Sequence, residues 1–195
     1  MNEEKNNGNR QFVRELAISA ILLAICIVSQ FFKNLNVYIT GPIVNLCLVM
    51  AVMAAGLKWG LILAVITPVT AFFIAASPVM QAVPGILPLI MAGNIILVLA
   101  TWKLFKPAVE NGTSIINPGS IIAAAVSAIL KGAFMGLTIS RWLLPTFIPA
   151  ESPLRGKMAV FQMTFSVTQL ITALIGFVYF FIIWIPVRST LQKDS

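Results

Sequence analysis

The chain has 195 residues, of which 59% are hydrophobic and only 10% are charged. Soluble domains carry roughly 45–50% apolar and about 25% charged residues, so this composition excludes an ordinary water-soluble fold. The apolar residues run consecutively, and residues 59 to 102 contain no Asp, Glu, Lys or Arg. An uncharged run of that length predicts an integral membrane protein that lies in a lipid bilayer.

The formal net charge is +7, from 13 basic and 6 acidic residues. The basic residues stand singly or in small groups between apolar runs, so they indicate membrane topology and not nucleic-acid binding. Histidine is absent, and Cys26 and Cys47 both lie inside apolar runs. We therefore expect no metal site, no cofactor and no disulfide framework.

Cut at charges, prolines and glycines, the apolar runs divide into six predicted membrane helices. These cover residues 12–32, 42–57, 59–77, 84–105, 118–140 and 158–186. They form one all-α membrane domain, 12–186, between a polar N-terminal tail, 1–11, and a C-terminal tail, 187–195. Gly56 and Gly60 predict a tight hairpin between the second and third helices. The uncharged run must turn again at 77–85, because as one helix it would be about 65 Å long, twice the bilayer thickness.

Six crossings place both termini on one side of the membrane. If that side is the cytoplasm, eight basic residues lie inside and four outside, as the positive-inside rule favours. The inner eight are Lys5, Arg10, Arg14, Lys58, Lys103, Lys106, Arg188 and Lys193, and the outer four are Lys33, Arg141, Arg155 and Lys157. The longest outer connection, 141–157, contains three prolines. We expect it to form an ordered lid or rim.

The chain has few groups that could carry out chemistry. Of its six acidic residues, five fall in predicted tails or loops and Glu15 stands at the start of the first helix. We therefore expect no enzymatic activity. The phosphate-binding pattern G-x-x-x-x-G-K-[ST] is absent, and no carboxylate lies deep in a helix to relay protons or sodium. Transport by this chain would need energy from a partner.

Lys131 is the ionisable residue that lies deepest in a predicted helix, thirteen residues after Pro118 and ten before Arg141. A charge near the bilayer centre costs about 2.5–3.5 kcal/mol on insertion scales, so this side chain should face the protein interior. No acidic residue is at a matching depth. One interpretation is a lysine that snorkels or sits among neutral oxygens such as those of Thr138 and Gln169. The other is a lysine that binds an anionic group of a ligand.

Neutral polar residues within the helices extend this picture, since each needs a hydrogen-bond partner away from water. They are Asn94, Gln162, Thr164, Thr168, Gln169 and Thr172. Gln162 and Gln169 are seven residues apart and so share a helix face, which Asn94 could meet from a neighbouring helix. Either these residues only join helices, or with Lys131 they line a pocket near the outer side.

The first helix carries a small-residue stripe, Ala17, Ala20 and Ala24, with A-x-x-x-A at the last two. Residues four apart lie on one helix face and let another helix approach closely. The stripe could pack inside the protein or against a second chain.

Together these features resemble the substrate-binding S components of energy-coupling factor (ECF) transporters. The resemblance covers residues 12–186 and rests on Ala20 and Ala24, the glycine hairpin, the proline-rich loop before the fourth helix and the last helix, FQMTFSVTQLITALIG. It implies a vitamin or related micronutrient as ligand, a bacterial plasma membrane, and a transmembrane coupling subunit with two ATPase subunits that docks on Ala17, Ala20 and Ala24. It places the ligand among Asn94, Lys131, Trp142, Gln162 and Gln169. The ligand itself stays open, and Lys131 favours an anion.

Two other classes of function remain. A self-sufficient secondary carrier or channel would be expected to show internal repeats or an acidic residue within a helix. A membrane scaffold would need no chemistry, but would have little reason to bury Lys131.

Overall fold

The computed structural model describes residues 2–32, 36–112 and 114–193, and the regular structure in those ranges is helical throughout. Six helices are long and apolar enough to cross a membrane, as expected of a multi-pass membrane protein. We number them helix 1 (Asn2–Phe31), helix 2 (Val37–Ala55), helix 3 (Leu57–Ala75), helix 4 (Ile86–Glu110), helix 5 (Pro118–Phe147) and helix 6 (Val167–Lys193). Short helices Pro78–Ala82 and Met158–Thr164 precede helices 4 and 6. The prediction of six membrane helices is confirmed.

Helices 2 and 3 form the predicted hairpin. Gly56 is the single residue between them and has a φ of 92°, which L side chains rarely adopt. At Gly60 a Cβ atom would stand 2.6 Å from Cγ2 of Val52, so glycine also allows the two helices to approach closely there.

Helices 2 and 6 extend past the prolines at which their predicted ends were placed, whereas helix 5 begins at Pro118 as predicted. Pro42 and Pro186 lie inside helices 2 and 6, because neighbouring groups in membrane proteins satisfy the backbone that proline leaves unpaired. Helix 2 starts earlier, at Val37, where Oδ1 of Asn36 accepts a hydrogen bond from the backbone N–H of Tyr38 at 2.8 Å. The polar tails also continue helices 1 and 6. Residues 1, 33–35, 113 and 194–195 lie outside the described residues.

Much of the predicted outer loop 141–157 is helical. Helix 5 widens into a π-helical segment at Gly136–Leu143 and continues to Phe147, and a 3₁₀ turn covers Pro153–Lys157. Nη1 of Arg155 donates a hydrogen bond to the backbone carbonyl of Ile148 at 2.9 Å and so links the two ends of the remaining turn. The connection is therefore ordered, as expected of a lid or rim.

The predicted helix 158–186 is interrupted at residues 165 and 166. Two reciprocal hydrogen bonds hold the interruption against helix 5: Oγ of Ser140 donates to the carbonyl of Gln162 at 2.8 Å, and Nε2 of Gln162 donates to the carbonyl of Ser140 at 3.0 Å. Oγ of Ser166 also donates to the Gln162 carbonyl, at 2.6 Å. These contacts stabilise a discontinuous helix beside the middle of the bundle.

The buried apolar side chains form two clusters with a polar layer between them. The larger cluster lies in the half of the bundle nearer the termini and includes the rings of Phe177 and Phe180, which contact the Phe105 ring at steep angles of 59° and 77°. The smaller cluster lies in the opposite half and includes Ile86 and Met135. Three polar residues lie along the chain between a member of the larger cluster and a member of the smaller one. Asn94 lies between Leu97 and Ile86, Lys131 between Ala128 and Met135, and Gln169 between Ala173 and Phe165.

Candidate ligand-binding cavity

The centre of the polar layer is the ammonium of Lys131, whose side chain is only 3% exposed. Its Nζ donates hydrogen bonds to Oδ1 of Asn45, at 2.6 Å, and to Oδ1 of Asn94, at 2.8 Å. Neutral oxygens therefore hold the cation, but they come from helices 2 and 4, and not from Thr138 or Gln169. Because an ammonium has three donors, one remains for a further partner.

Both amides are fixed with their oxygens towards the lysine. Nδ2 of Asn94 donates to the carbonyl of Ala64 on helix 3, and Nδ2 of Asn45 donates to Oγ1 of Thr172 on helix 6, each at 3.4 Å. Amide oxygens solvate an ammonium without neutralising it. In the described part of the chain, Lys131 makes no ion pair with a carboxylate. When protonated, Lys131 therefore places a positive charge in the cavity wall that no described carboxylate balances.

Lys131 lines a cavity of about 390 Å³ between the helices. That volume is within the range of roughly 300–1,000 Å³ found for small-molecule sites. Besides Lys131, the lining includes residues from the last turns of helices 1 and 3 and the first turns of helices 2 and 4, for example Gln30, Ala75, Val37 and Ile90. Since consecutive helices alternate in direction, the cavity lies in the half of the bundle opposite the two termini.

Three of the five predicted ligand-binding residues, Asn94, Lys131 and Gln169, line this cavity. The other two lie elsewhere. Gln162 lines a separate groove of about 680 Å³ between helices 5 and 6, and Trp142 is 58% exposed on the outer surface. The interruption at 165–166 is the physical reason for the first difference, because it breaks the seven-residue repeat that would place Gln162 and Gln169 on one face.

Gln169 stands at the interruption itself. Its Nε2 donates to the carbonyl of Thr164 at 3.2 Å, which satisfies a backbone group freed by the broken helix. The side-chain oxygen is then the part of Gln169 that could accept a hydrogen bond from a ligand.

Sequence reasoning missed Asn45, Gln30, Thr40 and Thr67, which also line the cavity. Asn45 carries the signal that identified Asn94: it is an amide side chain in an otherwise apolar helix, here VYITGPIVNLCLVMAVMAA. Gln30 stands near the end of helix 1. A polar residue at a helix end is also expected simply because it lies at the membrane surface, so its position gave no signal of a cavity.

Glycines on the surrounding helices set how closely the cavity walls approach. A Cβ at Gly176 would stand 2.8 Å from Cβ of Asn45 and 3.1 Å from the backbone N of Leu46. A Cβ at Gly132 would stand 2.9 Å from Cβ of Leu170. Small residues of this kind let membrane helices pack backbone to backbone. Helices 2, 5 and 6 are therefore held tightly around Lys131.

The small-residue stripe of helix 1 faces outwards. Ala17, Ala20 and Ala24 are all exposed, whereas Leu22 and Cys26 on the opposite face are buried in the larger apolar cluster. Among the described residues the stripe is thus open to lipid or to a second chain.

Comparison of the chain with protein-family models, with curated proteins and with solved structures finds no match.

Proposed function

We propose that this chain is the membrane-embedded substrate-binding subunit of an ECF-type importer and that it binds a vitamin or related micronutrient with an anionic group. The observation that carries the proposal is the Lys131 ammonium, which lines a cavity of small-molecule size and whose hydrogen-bond partners among the described residues are two neutral amide oxygens. The sequence resemblance supports the importer type.

A buried cation without a counter-charge is costly, so an anion that enters the cavity gains the Coulomb attraction and relieves that cost. This favours acidic micronutrients such as pantothenate or nicotinate over cationic thiamin. Asn45 and Asn94 aim the ammonium, and Gln169 orients the neutral part of the ligand. The role proposed for Asn94 thus changes from a direct ligand contact to positioning Lys131.

The direction of transport follows from the charges. With both termini in the cytoplasm, as the excess of basic residues on that side favours, the cavity faces the outside of the cell. An importer of a bacterial plasma membrane requires a binding site on that face.

Energy must come from other chains, because this one has neither a phosphate-binding motif nor a carboxylate deep in a helix. We expect the purified protein to carry a small anion that mass spectrometry can identify, and to copurify from native membranes with a coupling subunit and two ATPase subunits. In liposomes that contain this chain alone, we expect binding of that anion without accumulation. Concentrative uptake under an ion gradient would contradict the proposal and favour the alternative, a self-sufficient secondary carrier or channel.

The outward stripe of helix 1 is the proposed docking face for the coupling subunit. Ala20→Leu or Ala24→Leu should reduce copurification of that subunit by more than about fivefold and leave ligand affinity within about twofold, because leucine separates close-packed helices without reaching the cavity. Ala159→Leu, at an exposed alanine on the short helix Met158–Thr164, is the matched control. Loss of docking and ligand binding together, or of neither, would contradict this assignment.

A further inference from the structure

Besides Lys131, the cavity is lined by Gln30, whose side-chain oxygen has no hydrogen-bond partner among the described residues. We propose that Gln30 recognises a hydrogen-bond donor on the ligand, so that the ligand class is a small anion that also carries a hydroxyl or N–H group. This inference rests on the proposed function, in which Lys131 binds the anionic end.

Gln30 is completely buried near the end of helix 1 and lines the cavity. Its Nε2 donates a hydrogen bond to the backbone carbonyl of Thr67 on helix 3 at 3.0 Å. Its Oε1 is buried and has no hydrogen-bond partner among the described residues. Since unpaired buried acceptors are costly and rare, this oxygen needs an explanation, and a ligand group that donates to it supplies one.

The orientation of this amide is set by its surroundings. Turning it over would place Oε1 against the Thr67 carbonyl, and two acceptors cannot bond each other. The same carbonyl also accepts from Oγ1 of Thr70 at 3.0 Å, which fixes it as an acceptor. The polar atom of Gln30 that stays unpaired is therefore its oxygen and not its NH₂ group, in a residue that lines the cavity.

The neighbouring hydroxyls offer only acceptor positions as well. Oγ1 of Thr40 donates to the carbonyl of Ser29 at 3.2 Å, and Oγ1 of Thr67 donates to the carbonyl of Leu63 at 2.9 Å. Both threonines line the cavity, and each hydroxyl proton is already used. The oxygens of Gln30, Thr40 and Thr67 would therefore repel a second anionic group and accept a hydrogen bond from a donor group of the ligand.

The residues that hold Lys131 and Gln30 are anchored one turn apart on helix 3. Asn94, which holds Lys131, is bonded to Ala64, and Gln30 is bonded to Thr67, one turn further along helix 3. Three residues of helix correspond to a rise of about 4.5 Å. An anion and a hydroxyl a few bonds apart would therefore fit between the ammonium and the amide oxygen.

The test uses pantothenate, which has a carboxylate and three hydrogen-bond donors, two hydroxyls and one amide N–H. It is compared with an analogue that has hydrogen in place of both hydroxyls and an ester in place of the amide. Isothermal titration of the purified full-length protein should show pantothenate binding more than tenfold more tightly than the analogue. In Gln30→Met this preference should fall below about twofold through loss of pantothenate affinity, while affinity for the analogue, which needs only the lysine end, stays within about twofold. Gln81→Met, at an exposed glutamine on the short helix Pro78–Ala82, should behave as wild type.

The affinity for the analogue also reports whether Gln30→Met keeps the folded cavity. An unchanged preference for pantothenate in this variant would overturn the role of Gln30 and leave the proposed function intact. The partner of its oxygen would then be a buried water and not the ligand. Loss of both compounds from Gln30→Met would likewise overturn it, because Gln30 would then shape the cavity and not read the donor. If the wild-type protein binds neither compound, the ligand class inferred here is wrong, while the proposed importer function is tested by the bound anion that mass spectrometry identifies.

Discussion

Replacement of Lys131 by methionine is expected to lower the affinity for a small carboxylate such as pantothenate by more than tenfold, or at least about 1.4 kcal/mol. Methionine is similar in length and fills the same space, but it removes the only charge that faces the cavity from the described residues. Isothermal titration of the purified protein measures the loss directly. Lys131→Arg should also bind weakly, since a planar guanidinium does not replace the compact ammonium held by two amide oxygens.

Two controls separate ligand binding from folding. Lys157→Met removes an exposed lysine in the same half of the protein as the cavity and should leave the affinity for the carboxylate within about twofold. The melting temperature of ligand-free Lys131→Met should stay near that of the wild type, because removing a buried charge offsets the loss of two hydrogen bonds. Normal carboxylate affinity in Lys131→Met would show that the lysine serves only to join helices 2, 4 and 5.

Gly176→Ala is expected to destabilise the protein and weaken the cavity at the same time. The added Cβ would stand 2.8 Å from Cβ of Asn45 and 3.1 Å from the backbone N of Leu46 and from the carbonyl oxygen of Pro42. Two of these atoms belong to the backbone of helix 2 and cannot turn away. Overpacking of this kind costs about 1–3 kcal/mol, or roughly 2–12 °C in melting temperature for a chain of this size.

Because Asn45 must move with helix 2, the same variant should lose several-fold in pantothenate affinity. Gly156→Ala is the matched control, since a Cβ there meets nothing within 4 Å. Thermal unfolding in detergent, followed by titration at a temperature where both variants are folded, separates the two effects. A Gly176→Ala protein as stable as Gly156→Ala would mean that helices 2 and 6 are not packed as tightly as described.

Some polar residues of the cavity could be identified from the sequence, but their hydrogen-bond partners could not. Lys131 and Asn94 stand out because charged and amide side chains in apolar runs need partners wherever they lie. Which oxygens meet the ammonium depends on how helices rotate against one another. Asn45 and Asn94 meet it because helices 2, 4 and 5 converge at one depth, and no spacing along the chain encodes that convergence.

The sequence by itself determined the number of membrane helices, because each crossing needs about 20 apolar residues and the glycines and charges mark where one crossing ends. The sequence also determined the tight hairpin at Gly56. The single residue between helices 2 and 3 has a positive φ, and glycine adopts that conformation without strain. Only the tertiary structure decided where the helices deviate from regularity. The interruption at 165–166 and the π-helical segment of helix 5 are stabilised by hydrogen bonds between Ser140 and Gln162, which are far apart in sequence. Those contacts turn Gln162 away from the cavity and leave Gln169 in it. The sequence could not reveal them, because a local residue pattern does not report a hydrogen bond between two different helices.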